Sequence, residues 1–232
     1  MLREIQDKLA KSGDPEIRES SERFFKEPVK FHGLKAADVR AIAKQHFPAI
    51  DRMDKAKVFE TCEKLMQSDF HEDFMVACEF AHRVRKRFGK EDFKVFERWV
   101  AEYVNNWAKC DVFCAVALGE VLEKFPEVAG DVEKWTASEN RWVRRAAAVA
   151  FIVPARRGKF LGNIFKVSDR LLEDRDDMVQ KGYGWALKEA SKTHPRQVYG
   201  FVVARRAKMP RTAYRYAIEK LPADMRKAAM SL

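Results

Sequence analysis

Apolar residues recur at helical spacing along nearly the whole chain, and no stretch sustains the apolar–polar alternation of a half-buried strand. That pattern confines the 232 residues to an all-α fold. Asp14-Pro15-Glu16 reads as an N-cap followed by proline at the first helical position, and Ala36-Ala37-Asp38 opens a second helix. Further helices are expected at about 54–67, 71–87, 91–104, 106–124, 128–136, 140–153, 160–173, 176–192, 195–207 and 211–220. Pro48, Pro126, Pro154, Pro195, Pro210 and Pro222 mark the breaks.

The breaks come at short intervals, and similar segments return after one repeat length. Arg141-Trp142-Val143-Arg144-Arg145-Ala146 is followed by Asp177-Met178-Val179-Gln180-Lys181-Gly182, then by Thr212-Ala213-Tyr214-Arg215-Tyr216, at intervals of 36 and 34 residues. Phe74-Met75-Val76-Ala77 lies two such intervals upstream of the first. Stacked helix pairs of the HEAT type give this signature and present equivalent helices on one curved face. The chain is expected to be a single domain over 1–232, with N-terminal helices over about 1–68 and the array over about 69–232.

Charge is distributed unevenly. Residues 141–232 hold 21 Lys/Arg against 8 Asp/Glu, whereas residues 1–140 hold 24 against 27, so the whole net charge of +10 comes from the C-terminal part. A basic face suits a polyanion, and solubility alone is the competing explanation. Cys62, Cys78, Cys110 and Cys114 have no disulfide or metal spacing and read as buried thiols, with no metal and no cofactor expected. No signal region or bilayer-length apolar run occurs, which makes a cytoplasmic protein, nucleoid-associated when on DNA, the expectation. No long apolar stripe demands a protein partner, so a monomer is expected.

Three segments could carry chemistry. Lys181, Trp185 and Lys188 share one face of the 176–192 helix, beside Gly182 and Gly184, which signal close approach of a neighbouring helix or a ligand. Arg141, Arg144 and Arg145 fall opposite the apolar face of their helix; Arg156, Arg157 and Lys159 follow, and Arg205, Arg206, Lys208, Arg211 and Arg215 repeat the theme. Such stripes are either a phosphate track or a solvated surface. In Asn105-Asn106-Trp107-Ala108-Lys109-Cys110-Asp111, Trp107 and Asp111 lie four apart on one helix face. An indole beside a carboxylate can bind a cation and stabilise developing positive charge, although an acid near a helix start can also simply serve the helix dipole.

The motifs Asn106–Asp111, Trp135–Ala147 and Gln180–Glu189, in this order, resemble those of the AlkD-like DNA alkylation-repair glycosylases, a HEAT-like repeat family. The resemblance is strongest from about Val104 to Glu219. It implies a right-handed superhelical array with a concave basic face that holds duplex DNA, and hydrolysis of the N-glycosidic bond of cationic N3- or N7-alkylated purines. It places the catalytic carboxylate on Asp111, the lesion-contacting indoles on Trp107 and Trp185, and a DNA-contacting arginine on Arg145. Arg144, Lys181, Lys188, Arg156, Arg157, Lys159, Arg211 and Arg215 are the further candidates for phosphates. Phe24 and Lys35 fall at DNA-facing places, and Lys109 and Cys110 depart from the family pattern by adding a charge next to the site. The competing readings are a non-catalytic DNA-binding repeat protein for damaged or branched DNA, and a protein-binding scaffold.

Overall fold

A computed structural model describes residues 1–231 and is all-α, with no strand among the described residues. The helices are α1 (Leu2–Lys11), α2 (Pro15–Arg23), α3 (Ala36–Arg52), α4 (Lys55–Met66), α5 (His71–Arg83), α6 (Asp92–Tyr103), α7 (Trp107–Phe113), α8 (Gly119–Lys124) and α9 (Ala129–Lys134). They continue as α10 (Arg141–Val149), α11 (Ile152–Arg156), α12 (Leu161–Arg170), α13 (Asp177–Ala190), α14 (Pro195–Ala204), α15 (Arg211–Ile218) and α16 (Ala223–Ser231). None is long and apolar enough to cross a membrane among the described residues.

Side-chain caps explain many of the starts. Asp14, Asp54, Asn106, Asn140 and Asp176 each accept backbone N–H groups from the first turn of α2, α4, α7, α10 and α13. Three expectations need correction. Pro48 lies inside α3, and buried Ile50 beyond it shows that packing carries the helix past the missing donor. Pro154 lies inside α11, in a first turn whose N–H groups lack helical partners anyway. The helix expected over 106–124 is interrupted by a π-helical segment, Cys114–Leu118, between α7 and α8. Two helices were not anticipated, because α1 buries only Ile5 and Leu9 and α16 only Ala229, too few positions to register as a stripe.

The chain forms two compact units, Met1–Ala117 and Leu118–Leu232. In the first, α5 packs on α3, α4 and α7. Its core is aromatic: Phe59, Phe88, Phe96, Trp99 and Phe113 form a chain of rings with centroids 5.1 to 6.0 Å apart. Edge and tilted contacts of this kind add to area burial. In the second unit, α13 is the hub, packed on α10, α11, α12, α14 and α15. Buried Tyr183 donates its hydroxyl to Leu172 O at 2.9 Å.

Side-chain bonds between neighbouring helix pairs recur at one repeat length. Arg98 bonds Glu63, Asn105 bonds Asp69, Arg141 bonds Asp176 and Arg157 bonds Glu123, at separations of 35, 36, 35 and 34 residues. The period read from sequence is thus a period of contacts.

Candidate nucleic-acid interface

In the first unit, Asn106 Oδ1 accepts the N–H of Lys109 and fixes the start of α7. The helix buries Lys109, Cys110 and Phe113, while Trp107 and Asp111 are half-buried. Phe25 stacks on Trp107 with centroids 5.2 Å apart and planes 14° apart, and Phe24 meets the same ring edge-on at 5.8 Å. Phe24 is 73% exposed, the largest exposure of any large apolar side chain among the described residues. The carboxylate of Asp111 therefore lies one helical turn from an indole backed by two further rings. Such a surface can attract a cation and stabilise positive charge as it develops. Lys35, the N-cap residue of α3, is exposed as well.

The segment bearing these phenylalanines is anchored from α5. Buried Glu72 accepts the N–H groups of His32, Gly33 and Leu34 at 2.9, 2.9 and 3.1 Å, and Asp73 accepts from the His32 ring at 2.9 Å. Charge-assisted bonds of this kind fix a loop firmly. His71 lies under Phe25 and Phe31, with centroids 6.3 and 5.0 Å away. Burial, with the Lys109 charge adding to it, pushes its pKa down to about 4, so the floor of the aromatic cluster is uncharged at neutral pH. Phe25, Glu72 and Asp73 escaped the sequence reading. The Phe24-Phe25 doublet was the available signal for the first, whereas nothing local marked the two acids.

Lys109 is not an extra charge beside the site. It turns inward, its side chain 1% exposed, and Nζ donates to Asp69 Oδ1 at 2.8 Å and lies 5.5 Å above the Phe74 ring. Burial alone would raise the Asp69 carboxyl, but hydrogen bonds from Lys109 and Asn105 outweigh it and hold it below its usual range. Asp69 has a φ of 64°, a left-handed conformation that Asn also tolerates. Asp69→Asn should therefore isolate the loss of charge. We expect it to cost about 2 kcal/mol, because it strands a buried ammonium, and to lower the melting temperature by roughly 4–8 °C. Lys109→Met, which leaves a half-exposed acid that still accepts from Asn105, should cost less; thermal unfolding of the two variants checks the order.

In the second unit, Asn140 caps α10 through the N–H of Trp142. Arg145 does not fall on the solvent side: it is 5% exposed, and its Nη1 donates to Met178 O. Its aliphatic stem crosses Gly182, where a Cβ would come within 3.1 Å of Arg145 Cγ. At Gly184 a Cβ would come within 2.8 Å of Tyr216 Cβ and 2.9 Å of Ala213 O. Both glycines thus admit neighbouring helices. Trp185 is half-buried, and its Nε1 donates to Glu189 Oε1 at 3.2 Å.

Most of the expected phosphate track is held in ion pairs within this unit. Arg144 bonds Asp174 at 2.7 Å, Lys181 bonds Asp177 at 3.1 Å and Lys188 bonds Glu219 at 3.1 Å. Arg156 bonds Glu189 at 2.9 Å, while Arg157 and Lys159 share Glu123 at 2.7 and 2.9 Å. Exposed pairs of this sort are worth at most about 1 kcal/mol, so a phosphate can replace the acid at half-exposed Arg157 and Lys159. Arg211 and Arg215 are exposed and, with Arg206, Met209, Tyr214, Ala229 and Met230, line a cavity of about 410 Å³. Cys110 and Cys114 are both buried, with sulfurs 4.0 Å apart.

A family model described as DNA alkylation repair enzyme matches residues 5–221. Among solved structures, the chain is similar to a protein from Enterococcus faecalis described as a predicted DNA alkylation repair enzyme, with a TM-score of 0.81 and 21% identity over 91% of this chain and 97% of that one. It is also similar to AlkD2 from Streptococcus mutans, with a TM-score of 0.62 and 19% identity over 96% of this chain and 100% of that one. The smu.31 protein of the same organism has a TM-score of 0.59 and 21% identity over 80% of this chain and 94% of that one. No curated protein sequence matches.

Proposed function

The chain belongs to the DNA alkylation repair enzyme family, and from that premise we propose that it is a DNA glycosylase acting on purines alkylated at N3 or N7 in duplex DNA. The observation that carries this reading is Asp111, a half-buried carboxylate one turn from Trp107, which is backed by Phe25 and edged by the exposed Phe24.

Alkylation at N3 or N7 leaves the purine positively charged. The bond between C1′ and the purine nitrogen breaks, its electron pair goes to the base, and the base departs neutral. Positive charge moves to the sugar as an oxocarbenium-like species. Asp111 stabilises that charge and orients a water, whose oxygen bonds to C1′ and whose proton passes through the carboxylate to solvent. Trp107 offers its face to the cationic base and the deoxyribose, and Trp185 is the second indole assigned to the lesion. Arg156, Arg157, Lys159, Lys181, Lys188, Arg211 and Arg215 are the phosphate contacts of this reading, with steep salt dependence as their signature. Arg144 is a further contact of the same kind, paired like most of these with an acid of its own unit, whereas buried Arg145 would reach a phosphate only by releasing Met178 O.

Incubation with duplex DNA carrying 7-methylguanine tests the proposal. Free 7-methylguanine should be released, with none from the unmodified duplex. Tight, salt-sensitive binding without release would mark a non-catalytic DNA-binding protein instead.

A further inference from the structure

Glu189 is a carboxylate buried on the hub helix of the second unit, 4% exposed, and it stands one turn beyond Trp185. Its two oxygens have different partners. Oε1 accepts the indole N–H of Trp185 at 3.2 Å. Oε2 accepts Arg156 Nε at 2.9 Å and Lys192 Nζ at 2.6 Å. Burial alone would raise this carboxyl, but its bonds to Lys192 and Arg156 outweigh burial and hold it below its usual range, so it stays an anion.

An indole has one donor and no acceptor, and its ring can sit in either of two orientations about the bond that joins it to the side chain. A fixed acceptor on one side selects one of them. Glu189 is such an acceptor, because the two cations at Oε2 prevent the carboxylate from following the ring. The clamp gives Arg156 a role that a phosphate contact does not supply.

We propose that Glu189 is a positioning residue: clamped by Arg156 and Lys192, it sets the orientation of the Trp185 ring and thereby the aromatic face offered to the cationic base. Its importance for base release rests on the reading of Trp185 as a lesion contact. The orientation itself does not.

The test separates the two. In the ¹H–¹⁵N spectrum of the whole protein, the Trp185 indole resonance is identified as the one missing from Trp185→Phe. Glu189→Ala should shift it upfield and speed its exchange with solvent. Glu189→Gln, which keeps an oxygen acceptor without the charge, should shift it only partway. In single-turnover release of 7-methylguanine from duplex DNA, Glu189→Ala should be roughly 10-fold slow, the scale of a misplaced contact group. Glu189→Gln should restore most of that rate, with the protein held in saturating excess over duplex so that a change in affinity does not enter. An unmoved indole resonance in either variant overturns the proposal, and so does a moved resonance in Glu189→Ala with an undiminished rate. If the wild-type protein releases no base, the glycosylase reading fails, and the resonance alone decides whether Glu189 orients Trp185. Should Glu189→Ala not fold, Glu189→Met, which keeps the length of the side chain without an oxygen acceptor, takes its place in both comparisons.

Discussion

Asp111→Asn should slow the release of 7-methylguanine by at least about 100-fold, or roughly 2.7 kcal/mol of lost transition-state stabilisation, and leave duplex affinity nearly unchanged. The size follows from the position. The side chain is half-buried, so its charge is only partly screened, and the asparagine keeps its shape and one acceptor oxygen while losing the charge. A purely structural Asp111 would not behave this way. Asn106 already caps α7, and Asp111 is the fifth residue of that helix, beyond the first turn where an acid gains most from the helix dipole. Asp111→Asn keeps the length and shape of the side chain, and its circular dichroism spectrum at the assay temperature should match that of the wild type. Single-turnover kinetics with a filter-binding control distinguish a lost rate from lost binding.

Gly184→Ala should have the largest effect on stability. The added methyl would lie 2.8 Å from Tyr216 Cβ, 2.9 Å from Ala213 O and 3.1 Å from Ala213 Cα. Two of those atoms belong to the backbone of α15 and the third is fixed to it, so no rotamer change relieves the clash. The hub helix must move away from α15, at a cost of about 2–3 kcal/mol. For a chain of this length that lowers the melting temperature by roughly 4–12 °C. Gly182→Ala is the control. Its methyl would meet the flexible stem of Arg145, with Cγ at 3.1 Å, so it should cost about 1 kcal/mol or less. Circular dichroism melts of the two variants give the comparison. A larger loss at Gly182 would mean that Arg145 is held more rigidly than α15.

What the sequence made legible was whatever its own local spacing encodes. The cap at Asp14, the helix starts near 106, 140 and 176, the shared face of Trp107 and Asp111, and the close approach at Gly182 and Gly184 all stood within a turn or two of chain. What it hid were partners one repeat away. Lys109 looks like a charge beside the site until Asp69, 40 residues earlier, draws it into the core. Arg145 looks solvent-facing until Met178 and Gly182, on the next repeat, enclose it. The cationic stripes look free for the same reason, because Glu123, Asp174 and Glu189 lie outside any window that a periodicity argument inspects. Glu189 is the exception. Its spacing of four from Trp185 was readable, but an acid four residues from a tryptophan is too common to single out without the buried clamp behind it.

Breakage of the bond between C1′ and the alkylated purine is the step that Asp111 serves in this reading. Chromatography of the small molecules released from duplex DNA carrying a single 7-methylguanine, incubated with wild-type protein or Asp111→Asn, examines it most directly. Free 7-methylguanine should accumulate well above spontaneous depurination with the wild type and return close to that background with Asp111→Asn. Release at the background rate with the wild type, or equal release by both proteins, would contradict the account.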